Sequence, residues 1–297
     1  MGLDINAVQF LIAARRAGVQ LGDVLMLGRQ DLNVYPAKMR QVLSEHGFPT
    51  VLFDDAAPDT GYAEPCFRAL GATNVWSIDV SNFEGADFVH DLNWPIGPEL
   101  KGRFDTVYDG GTLEHVFNFP SALKSCMEMV RLGGRLVIHT MANNYCGHGF
   151  YQFSPELFFR ALSPENGFEV ERMVLHSMGP YGRWFEVTDP KSIQSRVELI
   201  TCVPMNLLVR AKRVTDAPIF EKPVQQSDFV PRWKDPGESA NKTGPIVSPG
   251  AMSTRGSFAG SVPGLARLLN VLRIGTGLMR THTIWNRRSY RPVKRGS

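Results

Sequence analysis

Three short stretches hold the residue types that do chemistry. In the first, Asp109-Gly110-Gly111-Thr112-Leu113-Glu114-His115, two carboxylates and an imidazole follow the apolar run Phe104 to Tyr108. In the second, Asn143 to Phe153, His148 lies between Gly147 and Gly149 and is flanked by Tyr145, Phe150 and Tyr151. A carboxylate or imidazole within reach of an acceptor's proton serves as a general base, and histidine titrates nearest to neutral pH. Glu114, His115 and His148 are therefore the candidate bases. The third stretch is Gly28-Arg29-Gln30-Asp31, the polar exit from the apolar run Asp23 to Leu27. Two further acids close apolar runs: Asp79 after Val75 to Ile78, and Asp91 before Leu92.

These residues need a scaffold that brings the ends of separate strands together. Val75 to Asp79, Asp87 to Leu92, Phe104 to Asp109 and Leu136 to Thr140 read as successive buried strands after Asp23 to Gly28. Helices are expected at Asn6 to Ala17, Val34 to Gly47, Ala63 to Leu70 and Ser121 to Val130. A further helix opens at Ser154-Pro155, because serine caps well and proline suits the first turn. Phe168 to His176 and Cys202 to Lys212 complete the set as strands of an antiparallel edge. Strand and helix alternate over about 190 residues, which gives an α/β domain with a doubly wound, mostly parallel sheet. In such sheets ligands sit at the carboxyl ends of the strands, where all of these polar residues fall.

A nucleoside cofactor on this scaffold requires a close backbone approach after the first strand, an acid for the ribose hydroxyls after the second, and a polar group for the adenine edge after the third. Asp79 meets the second requirement. Asp91 and Leu92 meet the third, although Asp91 also opens a plausible turn. At the first, Gly28 stands alone, so Gln30 and Asp31 are left to contact the cofactor's carboxylate and ammonium, and Arg29 is free to seek an anion. About 46 residues separate this strand from Val75, so a helix and loop are inserted where about 30 residues commonly suffice for the whole unit.

The chain of 297 residues is 43% hydrophobic, enough for a packed core. Its formal charge of +3 hides an asymmetry: no acid follows Glu238, while ten lysines and arginines do. An acidic globule with a basic tail results. Pro218 to Pro263 punctuate a Ser- and Gly-rich arm, and Leu265 to Leu278 regains helical spacing. The organisation expected is an N-terminal helix over 1–17, a domain over 18–213, an arm over 214–261 and a basic amphipathic tail over 262–297. Cys66, Cys126, Cys146 and Cys202 form no Cys-x-x-Cys pair, so neither a zinc site nor a disulfide framework is signalled, and no metal is expected. No apolar run reaches about 18 residues and no basic-then-apolar start is present, so a cytoplasmic setting is expected, with the tail offering a contact to an anionic membrane surface. A nucleic-acid partner ranks below that, since the tail's charges are dispersed.

"FDTVYDGGTLEHVFN" followed by "ALKSCMEMVRLGGRLVIHT" resembles the fourth- and fifth-strand blocks of class I S-adenosylmethionine-dependent methyltransferases. The resemblance covers roughly Gly22 to Lys212 and implies a seven-stranded, Rossmann-like sheet. It implies S-adenosylmethionine as cofactor, with Asp79 on the ribose, Asp91 and Leu92 at the adenine, and Gly28, Gln30, Asp31, Asp109 and Gly110 around the remainder. It also implies that the Glu114-His115 pair can pack beneath the cofactor, so His115 is open to a packing role as well as to catalysis. The expected reaction is methyl transfer to oxygen or nitrogen of a small-molecule or carbohydrate-like acceptor. The family's Gly-x-Gly-x-Gly is missing after Leu27. That departure raises two alternatives, a non-catalytic binding or scaffold protein on the same fold and, behind it, a nucleic-acid methyltransferase.

Overall fold

The computed structural model describes residues 2–54, 61–178, 182–228 and 282–296. The first elements are α1 (Ile5–Arg16), β1 (Gly22–Leu27), α2 (Pro36–Glu45), α3 (Glu64–Ala69), β2 (Ala72–Asp79) and β3 (Phe88–Val89). They are followed by β4 (Phe104–Asp109), α4 (Phe119–Met129), β5 (Val130–Asn143), α5 (Pro155–Ala161), β6 (Phe168–Ser177), β7 (Trp184–Val187), α6 (Pro190–Ile193), β8 (Met205–Arg213) and β9 (Tyr290–Val293). The expected helix over Leu265 to Leu278 and most of the proline-rich arm lie outside the described residues. Among the described residues no helix is long and apolar enough to cross a membrane.

All the strands join one sheet in the order β3-β2-β1-β4-β5-β8-β6-β7-β9. The first five are parallel and the rest antiparallel. Alternation within each strand sends side chains to opposite faces. Val24, Met26, Tyr108, Val137, Val174 and Leu208 pack under α1, α2 and α3, while Leu25, Leu27, Val107, Leu136, Ile138 and Leu207 pack under α4 and α5. Because β1 and β4 are covered on both faces, Val24 to Leu27 and Thr106 to Tyr108 are all buried.

The expected strand boundaries hold best in this doubly covered centre. The inserted segment between β1 and β2 is α2, a 3-10 turn at Val51–Phe53 and α3. The expected strand over Asp87 to Leu92 shortens to two residues. Its flanking acids are drawn off the ladder: Asp87 accepts from the Ser77 amide at 2.8 Å and Asp91 from the Asn93 amide at 2.9 Å. β5 begins six residues earlier than expected, passing through Gly133-Gly134 as a bend within the strand. A Cβ on Gly134 would stand 2.7 Å from the Asp105 carbonyl oxygen, which explains the glycine.

The sheet has nine strands, which corrects the seven expected. The two additions extend one side of the sheet: β7 pairs with β6 and, through Trp184 with Val293 and Val187 with Tyr290, with β9, so residues from the stretch read as a basic tail form the edge. Tyr290 is fully buried, and its hydroxyl donates to the Glu198 carbonyl at 3.1 Å. Pro292 is tolerated because β9 is an edge strand. Trp184 and Phe185 are core residues of β7.

Under α1 lies a polar island. Asp4 caps the helix, accepting from the Asn6 and Ala7 amides at 2.9 Å each, and Asn6 accepts from the Trp184 indole at 3.0 Å. Next to it His139 and His176 meet, Nε2 to Nε2 at 3.1 Å, both buried. One nitrogen must donate and the other accept, so neutral rings fit this contact and two imidazolium rings do not. Burial pushes both rings below their ordinary pKa, His176 to about 3, with His139 adding to the effect on His176.

A histidine whose folded pKa is depressed contributes stability above its unfolded pKa of about 6.5 and loses it as pH falls toward the folded value. Stability should therefore fall below about pH 6.5, with His176 contributing about 1.4 kcal/mol per pH unit toward pH 3 and His139 adding in the same direction. The slope should flatten in His176→Gln. Denaturation curves of the two proteins across this range check it, and equal slopes would refute the assignment.

Candidate functional site

The carboxyl ends of β1, β2 and β4 open onto one crevice. β1 pairs with β2 and β4, setting Leu27 beside both Ile78 and Asp109, and the Gly28 amide continues the β1–β2 ladder to the Ile78 carbonyl at 2.7 Å. Gly28 then turns away at φ +68°, a conformation that glycine adopts without steric cost. A Cβ there would stand 3.3 Å from Thr112 Oγ1 and 3.7 Å from Asp79 Oδ2, so the backbone of Gly28 passes between these two side chains. Asp79 Oδ1 accepts from the Val80 amide at 2.6 Å, and its other oxygen faces Gly28. His90 donates its amide to the Asp79 carbonyl at 2.8 Å, bringing the Asp91-Leu92 pair to the neighbouring strand end. Asp91 is half-buried, its Oδ1 holding the Asn93 side chain at 2.8 Å, and Leu92 is buried.

The loop after Gly28 is built differently from a glycine-rich one. Arg29 pairs with Glu64 at 2.7 Å, donates to the Glu84 carbonyl at 2.9 Å and lies 4.0 Å over the Tyr62 ring, so its charge is spent inside the loop. Gln30 is buried and donates to the Leu27 carbonyl, filling the space above Gly110. A Cβ on Gly110 would collide with Gln30 Oε1 and stand 2.9 Å from the Tyr108 ring. Asp31 is exposed and accepts the Leu3 amide on its carbonyl at 2.7 Å. The Gly2 amide donates to the Gly110 carbonyl at 2.9 Å, so the N-terminal residues strap this loop to the end of β4.

Asp109 ends β4 fully buried. Its Oδ1 accepts from the Thr112 amide at 2.8 Å, while Oδ2 has no hydrogen-bond partner. Burial, and the Glu114 carboxylate after it, push Asp109 up to about 8, so at neutral pH the protonated carboxyl is the favoured form. Glu114 is also fully buried, in the 3-10 turn Leu113–His115, and accepts the Thr140 hydroxyl on Oε2 at 3.0 Å.

The second loop is fastened to this turn. Phe150 and Tyr151 donate their amides to the Glu114 carbonyl at 2.8 and 3.3 Å, and a Cβ on Gly149 would stand 2.8 Å from the same oxygen. The far end of the loop is held by Asn144, which donates to the Thr201 and Val203 carbonyls at 2.8 and 3.1 Å. As a result His148 meets His115 with ring centroids 5.3 Å apart, beside Tyr145 at 6.1 Å and near the exposed Phe117–Phe150 pair. Of the sequence candidates, Glu114, His115 and His148 come together, and Gly28, Asp79, Asp109 and Gly110 line the adjoining strand ends. Thr140 and Phe117 were not foreseen. The alternation of β5 alone would have found Thr140, since it points away from His139, toward the face that α4 covers.

No protein-family model and no curated protein matches the chain. Among solved structures the chain is similar to a Burkholderia thailandensis 1,6-didemethyltoxoflavin-N1-methyltransferase with bound 1,6-didemethyltoxoflavin and S-adenosylhomocysteine, at 14% identity and TM-score 0.35 over 71% of this chain and 80% of that one. It is similar to a Bacillus halodurans C-125 structure carrying a methyltransferase assignment, at 12% identity and TM-score 0.35 over 69% and 99%. It is also similar to a Thermus thermophilus branched-chain polyamine synthase in complex with N4-aminopropylspermidine and 5'-methylthioadenosine, at 12% identity and TM-score 0.37 over 77% and 63%. At these values the likeness carries no argument of its own, and the sheet order decides. The first five strands run parallel in the order 3-2-1-4-5 and antiparallel strands follow, which gives the doubly wound, Rossmann-like class of sheet that the sequence resemblance implied. In this sheet β8 occupies the place between β5 and β6, and β7 and β9 extend the edge.

The packing of Gln30 against Gly110 is open to direct test. Gly110→Ala should cost about 1–3 kcal/mol, the usual range for an overpacked site. Adding Gln30→Ala, which vacates the space, should make the double variant less destabilised than the sum of the singles. Chemical denaturation of the four proteins measures this, and strict additivity would refute the contact.

Proposed function

We propose that the protein transfers a methyl group from S-adenosylmethionine to an oxygen or nitrogen of a small-molecule acceptor. The observation that carries this reading is the crevice itself. The Gly28 backbone passes between Asp79 Oδ2 and Thr112 Oγ1, and the Glu114–His115–His148 cluster stands at the adjoining strand ends.

The donor set fits the cofactor. Asp79 offers a carboxylate oxygen to vicinal hydroxyls, and the bare backbone of Gly28 leaves room where a side chain would obstruct. On this reading Asp91 and the Leu92 amide would meet the adenine edge, and the exposed Asp31 would offer its carboxylate to the ammonium. When bound, S-adenosylmethionine supplies an electrophilic methyl group on a sulfonium. The rest falls to the chain: Asp79 orients, the protonated Asp109 keeps the floor of the crevice neutral, and His115 and His148 are exposed where an incoming acceptor would lose its proton. Phe117 and Phe150 offer it an apolar face. An acceptor of carbohydrate-like or planar type suits a rim of imidazoles and aromatic rings.

A second reading, a binding protein on the same fold, is favoured by one feature: Gln30 and Arg29 fill and pin the loop where the family places glycines. The two readings separate in a calorimetric titration with S-adenosylmethionine and S-adenosylhomocysteine. Binding should weaken about 10- to 100-fold in Asp79→Ala, the loss of one hydrogen-bonded charged group. Absence of binding in the unaltered protein would leave the non-catalytic reading standing.

A further inference from the structure

The cluster at the mouth of the crevice has the make-up of a metal centre. Glu114, His115 and His148 each offer one ligand atom, and these atoms lie within 4.8 Å of one another. Glu114 is fully buried and only one of its oxygens is used: Oε2 accepts the Thr140 hydroxyl at 3.0 Å, while Oε1 has no partner. A buried carboxylate oxygen without a partner is costly, and a cation satisfies it more completely than any neutral donor. The Thr140 hydroxyl holds the carboxylate as outer groups hold metal ligands elsewhere. The two imidazoles are exposed, so they can rotate to converge, and the amides of Phe150 and Tyr151 fix the spacing of the loops that carry them.

We propose that Glu114, His115 and His148 form a binding site for a single divalent transition-metal ion, with Zn²⁺ the best match. Two imidazoles and one carboxylate suit borderline ions such as Zn²⁺, Co²⁺ or Fe²⁺, whereas Mg²⁺ and Ca²⁺ prefer all-oxygen shells. Three protein ligands leave at least one position open, and here the exposed histidines put it on the solvent side. This departs from the sequence expectation of no metal. It also deepens the proposed function, on which this consequence rests: an acceptor hydroxyl bound at the open position would lose its proton to solvent at near-neutral pH, because the metal lowers its pKa. The imidazoles would then serve as ligands in place of bases, and hydroxylated acceptors would be preferred to amines.

The test uses the full-length protein, stripped with chelator and free of cofactor, titrated with Zn²⁺ by calorimetry and with Co²⁺ by visible absorbance. One equivalent should bind, with ligand-field bands in the Co²⁺ form. His115→Ala and His148→Ala should each weaken binding at least about tenfold, as should Glu114→Gln, whereas His46→Ala, remote from the cluster, should change nothing. Absence of stoichiometric binding, or binding that survives both histidine substitutions, would overturn the site. So would a folded Glu114→Gln that binds as tightly as the unaltered protein, since that would leave only a surface histidine pair. If Glu114→Gln fails to fold, the two histidine variants decide. Because no cofactor is present, the result stands apart from whether S-adenosylmethionine binds.

Discussion

Burial of β1 and β4 on both faces is the constraint from which the site follows. A polar side chain within these strands would lose its water on either side, so Val24 to Leu27 are apolar, Thr106 and Tyr108 are fully enclosed, and Asp105, near the start of β4, keeps partial exposure and an ion pair with Arg131. Thr106 meets the cost by donating to the Leu21 carbonyl at 2.9 Å. At the crevice end of the sheet the acids come where the ladder ends, at Asp79 and Asp109. Parallel pairing in register sets those ends side by side, and a crevice lined with acids and turning backbone results.

The crevice is held by backbone bonds more than by side chains. The Glu114 carbonyl receives two amides from the loop after β5, the Gly110 carbonyl receives the Gly2 amide, and the Leu27 carbonyl receives Gln30 and Thr112. Each fastens one loop to the end of another strand, and glycine recurs at 28, 110 and 149 where these approaches are tightest. With the loops fixed, buried carboxyls are left facing one another. Asp109 responds by holding its proton well above the ordinary carboxylate range. Such pairs of groups with displaced affinities for protons or cations are frequent where chemistry is done.

What the sequence disclosed depended on whether the physics was local. β4 was legible to the residue because Phe104, Val107 and Tyr108 lead into Asp109 and the Gly110-Gly111 turn. The convergence of Glu114 with His115 was legible too, since they are neighbours, and His148 followed from its place after the fifth strand. The partners of Arg29 were not: Glu64 and Tyr62 lie more than thirty residues away, and nothing near Arg29 announces an ion pair. For the same reason β7 and β9 went unseen. Trp184 finds Val293 only because the chain returns to the edge of the sheet, and a run as short and basic as Tyr290 to Val293 carries no strand signal of its own. The buried pairing of His139 with His176 depends on β8 lying between β5 and β6, which strand periodicity does not reveal.

The most direct test of the account is a crystal structure of the protein grown with S-adenosylhomocysteine. The account predicts the ribose hydroxyls on Asp79, the backbone of Gly28 beneath the ligand, and its sulfur turned toward the Glu114–His115–His148 cluster. A ligand bound elsewhere, or seated on Asp79 with its sulfur turned away from the cluster, would contradict it.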